Sequence, residues 1–201
     1  MDPMIERLSR IATSTLGHFV EDGFLDVAIS PVFRPIKCAG RALTVGENAS
    51  TREAIRAARP GEIMVVARGG EARYAGFGGM VALACKKAGF AGVVLDCPTC
   101  DYAEIVEFRL PVFSRGISAL LPKGREYSGP IRQPILCGGV RIRDGDYVLG
   151  DDDGVLVIPP SEIEAIVARG EAAEKRGVET RALLEAGKTL DEVNELRRKH
   201  A

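Results

Sequence analysis

The central third of the chain alternates apolar runs with small-residue helical patterns, and this alternation constrains the fold more than any other feature. Buried strands are predicted at 62–67, 91–96 and 110–114, where apolar and β-branched residues follow one another. Helices are predicted between them, at 80–88 and 102–108. Because a connecting helix lets successive strands run parallel, the pattern predicts a parallel α/β layer.

The flanking segments predict the remaining elements of the domain. One or two short helices are expected within 5–20, a strand at 42–45 and a helix at 51–58. Beyond residue 140 the sequence offers short alternating strands, and Asp-Gly pairs at 144–145 and 153–154 predict that these strands form antiparallel hairpins.

A charged, amphipathic segment ends the sequence. It predicts a helical extension over 161–201, packed on the same or a neighbouring subunit and divided at Gly170, Gly177 and Gly187. The preceding residues, 1–160, are predicted to form a single α/β domain, because no repeat or low-complexity linker interrupts them.

Composition restricts the partners, the compartment and the chemistry. The 201 residues include 27 basic and 28 acidic side chains, and this balance argues against direct binding of nucleic acid. No apolar run approaches the roughly 20 residues of a membrane span, and MDPMIERLSR lacks the apolar stretch of a signal peptide, so a cytoplasmic protein is expected. Two histidines, His18 and His200, cannot build a multi-histidine metal site, so any metal is expected to be oxygen-ligated.

Two of the five cysteines, Cys97 and Cys100, form a CxxC pattern between a predicted strand and a predicted helix. Three interpretations are open. Structural zinc would need two more ligands, and dithiol redox chemistry would need a depressed thiol pKa. The simplest interpretation is two small residues in a turn, which the pattern favours.

A glycine-rich turn leads into the predicted helix at 80–88. The backbone N–H groups of Gly78, Gly79, Met80 and Val81 fall in its first turn, where they have no helical partner and are suited to binding an anion. The alternative is that these glycines only permit a tight loop.

Asp96 and Asp101 bracket the turn that follows the strand at 91–96. The carboxyl edge of a sheet is where α/β proteins commonly bind ligands, and a carboxylate there suits a divalent cation such as Mg²⁺. The alternative is that Asp101 only caps the helix at 102–108.

The string FGGMVALACKKAGFAGVVLDCPTCDYAEIVEFRLPVFSRG, residues 77–116, resembles the regulator of ribonuclease activity A (RraA-like) family, which includes divalent-metal-dependent 4-hydroxy-4-methyl-2-oxoglutarate aldolases. IKCAGRALTV and PILCGGVRIRDGDYVLGDDDGVLVIP extend the resemblance over most of 36–159. It implies a three-layer β/β/α swivelling-domain-like fold with mixed parallel and antiparallel strands. It also implies a homotrimer or hexamer with sites at subunit interfaces.

The resemblance further implies a reaction and its residues. The family cleaves 4-hydroxy-2-oxo acids to pyruvate and a second carbonyl compound, and decarboxylates oxaloacetate, with Mg²⁺ or Mn²⁺. Its substrate-binding loop falls on 78–81, its metal-binding aspartate on Asp101 and the acidic residue of the preceding strand end on Asp96. A glutamate of the helical tail that reaches a neighbouring site falls on Glu179.

Two positions depart from the family's pattern. Cys100 stands where the family has an arginine that binds substrate and stabilises the enolate, and Gly79 stands where an acidic residue is usual. A thiol supplies no fixed cation, and losing one such donor costs about 10²–10³ in rate. Arg73 and Arg115 are candidates to replace it. The leading hypothesis is a metal-dependent lyase with an altered site; the alternatives are a non-catalytic protein-binding regulator and a thiol redox protein.

Overall fold

The structure, a computed structural model, describes residues 2–123 and 128–199. Its elements are numbered here in chain order. The helices are α1 (Pro3–Ser9), α2 (Thr13–Leu16), α3 (Thr51–Arg56), α4 (Gly79–Lys87), α5 (Tyr102–Phe108), α6 (Ile163–Glu185) and α7 (Leu190–Lys199). The strands are β1 (Ser30–Pro31), β2 (Cys38–Val45), β3 (Ile63–Val66), β4 (Gly92–Leu95), β5 (Val112–Ser114), β6 (Ile135–Cys137), β7 (Val140–Ile142), β8 (Tyr147–Asp151) and β9 (Gly154–Ile158).

A mixed sheet in the order β1-β5-β4-β3-β2-β8-β9 forms the centre of the fold. Strands β2 to β5 are mutually parallel, whereas β1, β8 and β9 pair antiparallel with their neighbours. Strands β6 and β7 form a separate antiparallel pair. The predicted parallel layer and the mixed three-layer α/β fold class are confirmed.

Both faces of the parallel strands are buried. In β3, Met64 and Val66 pack with residues of α4 and α5, while Ile63 and Val65 pack with residues of the β6–β7 pair. These four side chains are fully buried, and each contributes about 1.5–3 kcal/mol through removal of apolar surface from water. Burial on both sides explains why the strand has a continuous apolar run instead of an alternating pattern.

The predicted hairpin at 144–145 is wrong, whereas the hairpin at 153–154 is confirmed by the pairing of β8 with β9. Strand β7 pairs with β6, and β8 pairs with β2 on its other edge. The Asp-Gly turn is tied to β2 because the Gly145 N–H donates to the carbonyl of Ala42 (2.9 Å). It therefore directs β8 towards the main sheet and away from β7.

The predicted divisions of the tail at Gly170 and Gly177 are also wrong, since α6 runs through both. Gly170 is buried against α1 and α2, and a Cβ there would lie 2.8 Å from the methyl groups of Ile11 and Leu16. Its lack of a side chain therefore serves close packing and not a helix break. Gly187, with φ +88°, follows the end of α6 as predicted.

Helix α6 packs on α1 and α2 of its own chain, and Arg7 of α1 forms an ion pair with Glu171 of α6 at 2.7 Å. A domain boundary at residue 160 stays a prediction, and residues 200–201 of the predicted extension lie outside the described residues. Within residues 2–123 and 128–199, no helix combines the length and apolar character needed to cross a membrane.

Candidate functional site

A cleft of about 360 Å³ lies between the start of α4, the turn after β4 and the segment after β5. Its position at the carboxyl ends of parallel strands is the common location of ligand sites in α/β proteins. The walls are formed by residues 75–78, Met80, Val81, Cys100, Asp101 and residues 121–122.

Backbone hydrogen bonds join the three segments that form this cleft. Each bond links a residue of the loop before α4 to one of the other two segments, so the walls hold a fixed mutual position. The bonds run from Gly76 N–H to Pro98 O (3.0 Å), from Cys100 N–H to Phe77 O (2.9 Å) and from Ala75 N–H to Leu120 O (2.8 Å).

Asp101 is exposed and has a left-handed backbone, with φ 56° and ψ 46°. Although it occupies the N-cap position of α5, its side chain forms no cap hydrogen bond within the described residues. Its Oδ2 accepts instead from the N–H of Gly79 (2.9 Å) and the thiol of Cys100 (3.3 Å). The capping alternative is therefore wrong, and one of the four predicted anion-binding N–H groups is bonded to Asp101.

The glycines of the loop make room for carboxylates. A Cβ on Gly78 would lie 2.6 Å from Asp101 Oδ2 and 2.8 Å from Cys100 Sγ, and a Cβ on Gly79 would overlap the carboxylate of Glu104. Sequence reasoning missed Glu104. Its only signal was its position in the first turn of the predicted helix at 102–108, close in sequence to Asp101.

Burial raises the pKa of the Cys97 and Cys100 thiols to about 11, and the hydrogen bond with Asp101 acts in the same direction on the pKa of Cys100. The redox hypothesis predicts instead that the pKa of a reactive thiol is lowered. Among the described residues, no group of three or more cysteine, histidine, aspartate or glutamate side chains is arranged to hold a metal ion. The CxxC pattern therefore shows neither a zinc site nor an activated dithiol.

Asp96 lies outside the residues that line the cleft. Its carboxylate forms a buried ion pair with Arg115 (2.6 Å) and accepts a hydrogen bond from the N–H of Gly70 (2.9 Å). Arg115 also bonds Asp26 (2.8 Å). Burial opposes the charged form of Arg115, but its bonds to Asp26 and Asp96 prevail and raise its pKa. Arg115 is thus held in a structural network, and a catalytic role for Asp96 stays a prediction.

Two other predicted residues are not among those that line the cleft. Arg73 is exposed, and its guanidinium stands 5.4 Å from the ring centroid of Tyr74. Glu179 is exposed on α6, which packs against α1 and α2. The approach of Glu179 to the site of a neighbouring subunit stays a prediction.

Comparison with known proteins places these features in one family. The family described as "RraA-like: Aldolase/RraA" matches residues 15–157. A protein of Halalkalibacterium halodurans named "Putative 4-hydroxy-4-methyl-2-oxoglutarate aldolase" is 34% identical over 149 residues, which cover 72% of this chain and 70% of that protein.

Solved structures show the same fold. An uncharacterized protein from Pseudomonas syringae pv. tomato has a TM-score of 0.88 at 22% identity, covering 96% of this chain and 98% of that one. The RNA-processing inhibitor RraA from Thermus thermophilis has a TM-score of 0.63 at 25% identity, covering 74% of this chain and 92% of that one. Because the family matches residues 15–157 and a 34% identical relative covers 72% of this chain, the chain belongs to the RraA-like family.

Proposed function

We propose that this chain is a divalent-cation-dependent carbon–carbon lyase that releases pyruvate from a small 4-hydroxy-2-oxo acid or from oxaloacetate. The observation that carries the proposal is the hydrogen bond between Gly79 and Asp101, which unites an exposed carboxylate with the first turn of α4 in one cleft. Membership of the RraA-like family and the aldolase name of a 34% identical relative support the reaction class.

The residues present fit Mg²⁺ or Mn²⁺ at Asp101. Its Oδ2 is engaged by Gly79 and Cys100, whereas no hydrogen bond from the described residues reaches Oδ1. One exposed carboxylate with water in the remaining positions suits a hard cation that retains most of its hydration. When bound there, the cation would polarise the 2-oxo group of the substrate.

The chain's own groups then position the substrate. The backbone N–H groups of Met80 and Val81, in the first turn of α4, would receive the substrate carboxylate. In the retro-aldol reaction the 4-hydroxyl loses its proton, the C3–C4 bond breaks and C4 becomes a carbonyl. The electron pair passes to C3 to give the enolate of pyruvate, and C3 then takes up a proton. Cys100 offers no cation to that enolate, so we expect a reduced rate.

Further residues are assigned supporting roles in this proposal. Asp96, through its bonds to Arg115 and Gly70, would hold the loop that leads to the cleft. Glu179 of a neighbouring subunit would contribute to the site in a homotrimer or hexamer, with the helical extension over 161–199 providing the approach.

The decisive experiment measures pyruvate release from oxaloacetate and from a 4-hydroxy-2-oxo acid, with Mg²⁺ or Mn²⁺. We expect release that a chelator abolishes. The variant Cys100→Arg restores the guanidinium expected of the family and should increase the rate. An absence of metal-dependent release above background, for wild type and Cys100→Arg alike, would overturn the lyase proposal.

A second function, binding of a protein partner, is favoured by the apolar surface beside the cleft. Met80 and Leu121, which both line the cleft, are 66% and 55% exposed, and exposed apolar side chains grouped together commonly mark interaction sites. The Thermus relative named as an RNA-processing inhibitor supports this alternative. A pull-down that recovers the chain alone would count against it.

A further inference from the structure

The walls of the cleft indicate the class of substrate, an inference that rests on the proposed lyase function. We propose that the substrate is a 4-hydroxy-2-oxo monocarboxylic acid whose far end is a short alkyl group. A dicarboxylic substrate would instead place a second carboxylate in this position.

Apolar side chains face the cleft from two sides. Met80 and Val81 belong to α4, whereas Leu121 and Pro122 belong to the segment after β5. A substrate bound by its carboxylate at the first turn of α4 therefore extends between apolar walls. An alkyl end gains from contact with these side chains, whereas a carboxylate finds no hydrogen-bond donor among them.

The wall containing Leu121 is fixed in place. The carbonyl of Leu120 accepts from the N–H of Ala75 (2.8 Å), and the hydroxyl of Ser118 donates to the carbonyl of Arg73 (2.7 Å). These bonds link the segment after β5 to the loop before α4 at two points. The apolar surface is therefore a built part of the site.

The two carboxylates at the cleft act in the same direction. Asp101 is the charged side chain among the described lining residues, and the Glu104 carboxylate packs against Gly79 next to it. A cation at Asp101 would serve the 2-oxo acid end of the substrate. A second substrate carboxylate would meet negative charge, while Arg115 is engaged by Asp96 and Asp26.

Binding is tested with two analogues that cannot be cleaved because they lack the 4-hydroxyl group. These are 2-oxopentanoate and 2-oxoglutarate. At the end far from the 2-oxo acid group, the first has a methyl group and the second has a carboxylate. Titration calorimetry of the full chain with Mn²⁺ should show about tenfold tighter binding of 2-oxopentanoate. Equal binding, tighter binding of 2-oxoglutarate or no binding of either would overturn the inference.

Cleavage is tested with 4-hydroxy-2-oxopentanoate and 4-hydroxy-2-oxoglutarate, by comparing kcat/KM for pyruvate release. The monocarboxylate should be preferred by about tenfold in wild type. Leu121→Arg places a cation in the apolar wall and should move the ratio towards the dicarboxylate. Leu136→Arg, at an exposed position of β6 that does not line the cleft, should leave the ratio unchanged.

The outcomes separate the two proposals. Cleavage of both substrates with the dicarboxylate preferred would overturn the substrate class and leave the lyase function standing. Cleavage of neither substrate, together with tighter binding of 2-oxopentanoate, would overturn the lyase function and support the ligand class.

Discussion

The backbone N–H of Gly79 donates to the Oδ2 of Asp101 at 2.9 Å, so the first turn of α4 and the turn after β4 share one hydrogen bond at the candidate site. The left-handed backbone of Asp101 is a conformation that aspartate and asparagine tolerate better than most residues. An amide at this position therefore tests the charge while keeping the backbone geometry.

Asp101→Asn should abolish most cation-dependent activity because an amide offers a neutral ligand where a carboxylate is expected. We expect a loss of Mn²⁺ affinity of at least about tenfold, measured by calorimetry, and a parallel loss of pyruvate release. Asp153→Asn, at an exposed turn between β8 and β9, is the matched control and should retain both properties. Full Mn²⁺ affinity in Asp101→Asn would show that the cation binds elsewhere.

Removing Arg115 should destabilise the fold because it leaves the carboxylate of Asp96 buried without its cation. The side chains of Arg115 and Asp96 are 16% and 6% exposed, and breaking such a pair typically costs about 3–5 kcal/mol. We expect a loss of this size for Arg115→Ala in denaturant unfolding. Asp26→Ala removes the outer, 43% exposed partner and should cost much less, because solvent screens an exposed ion pair. Equal losses would contradict the assignment of Asp96 as the structural partner.

Stability should fall in alkaline solution through the buried thiol of Cys97. Burial raises its pKa from 9.0 to about 11, so the folded chain retains this proton over a range where the unfolded chain releases it. The stabilisation is fully present below pH 9 and is lost as the pH rises to about 11, at roughly 1.4 kcal/mol per pH unit. Cys97→Ala should show a shallower decline of unfolding free energy over this range. An unchanged slope would exclude Cys97 as a contributor.

Two glycines of α6 should respond differently to alanine. Gly177 has open space around the position of a Cβ, so Gly177→Ala should stabilise the chain by about 0.5–1 kcal/mol through helix propensity. At Gly170 a Cβ would lie 2.8 Å from Ile11 and Leu16, so these side chains must move to accommodate it. The stabilisation from helix propensity should therefore be lost or reversed in Gly170→Ala. Thermal unfolding of the two variants measures the difference. Equal stabilisation would show that α6 does not pack closely on α1 and α2.

Local pattern was sufficient to predict the parallel centre of the fold. The helix at 102–108 was predicted with its observed bounds, and the strand at 91–96 was predicted one residue too long at each end of β4. The pairing of β8 was not predictable, because the Asp-Gly signal at 144–145 is local whereas the hydrogen bond from Gly145 to Ala42 joins distant residues.

At the candidate site, too, the sequence identified individual residues but not the contacts between distant ones. The family resemblance identified the loop at 78–81 and Asp101, but the two ends of the bond between Gly79 and Asp101 are 22 residues apart in sequence. The packing of the Glu104 carboxylate against Gly79 depends on how α4 and α5 meet. Sequence periodicity carries no information on such a contact, because it indicates which face of a helix is buried and not which residues of another helix meet it.

The backbone bonds from Ala75, Gly76 and Cys100 have a consequence for the dynamics of the cleft. Because they fasten the loop before α4 to segments that follow β4 and β5, these amide protons should exchange with solvent slowly, near the rate of the central sheet. A ligand would enter a preorganised cavity and lose little affinity to the ordering of the protein. The walls would become mobile chiefly through opening of the sheet itself.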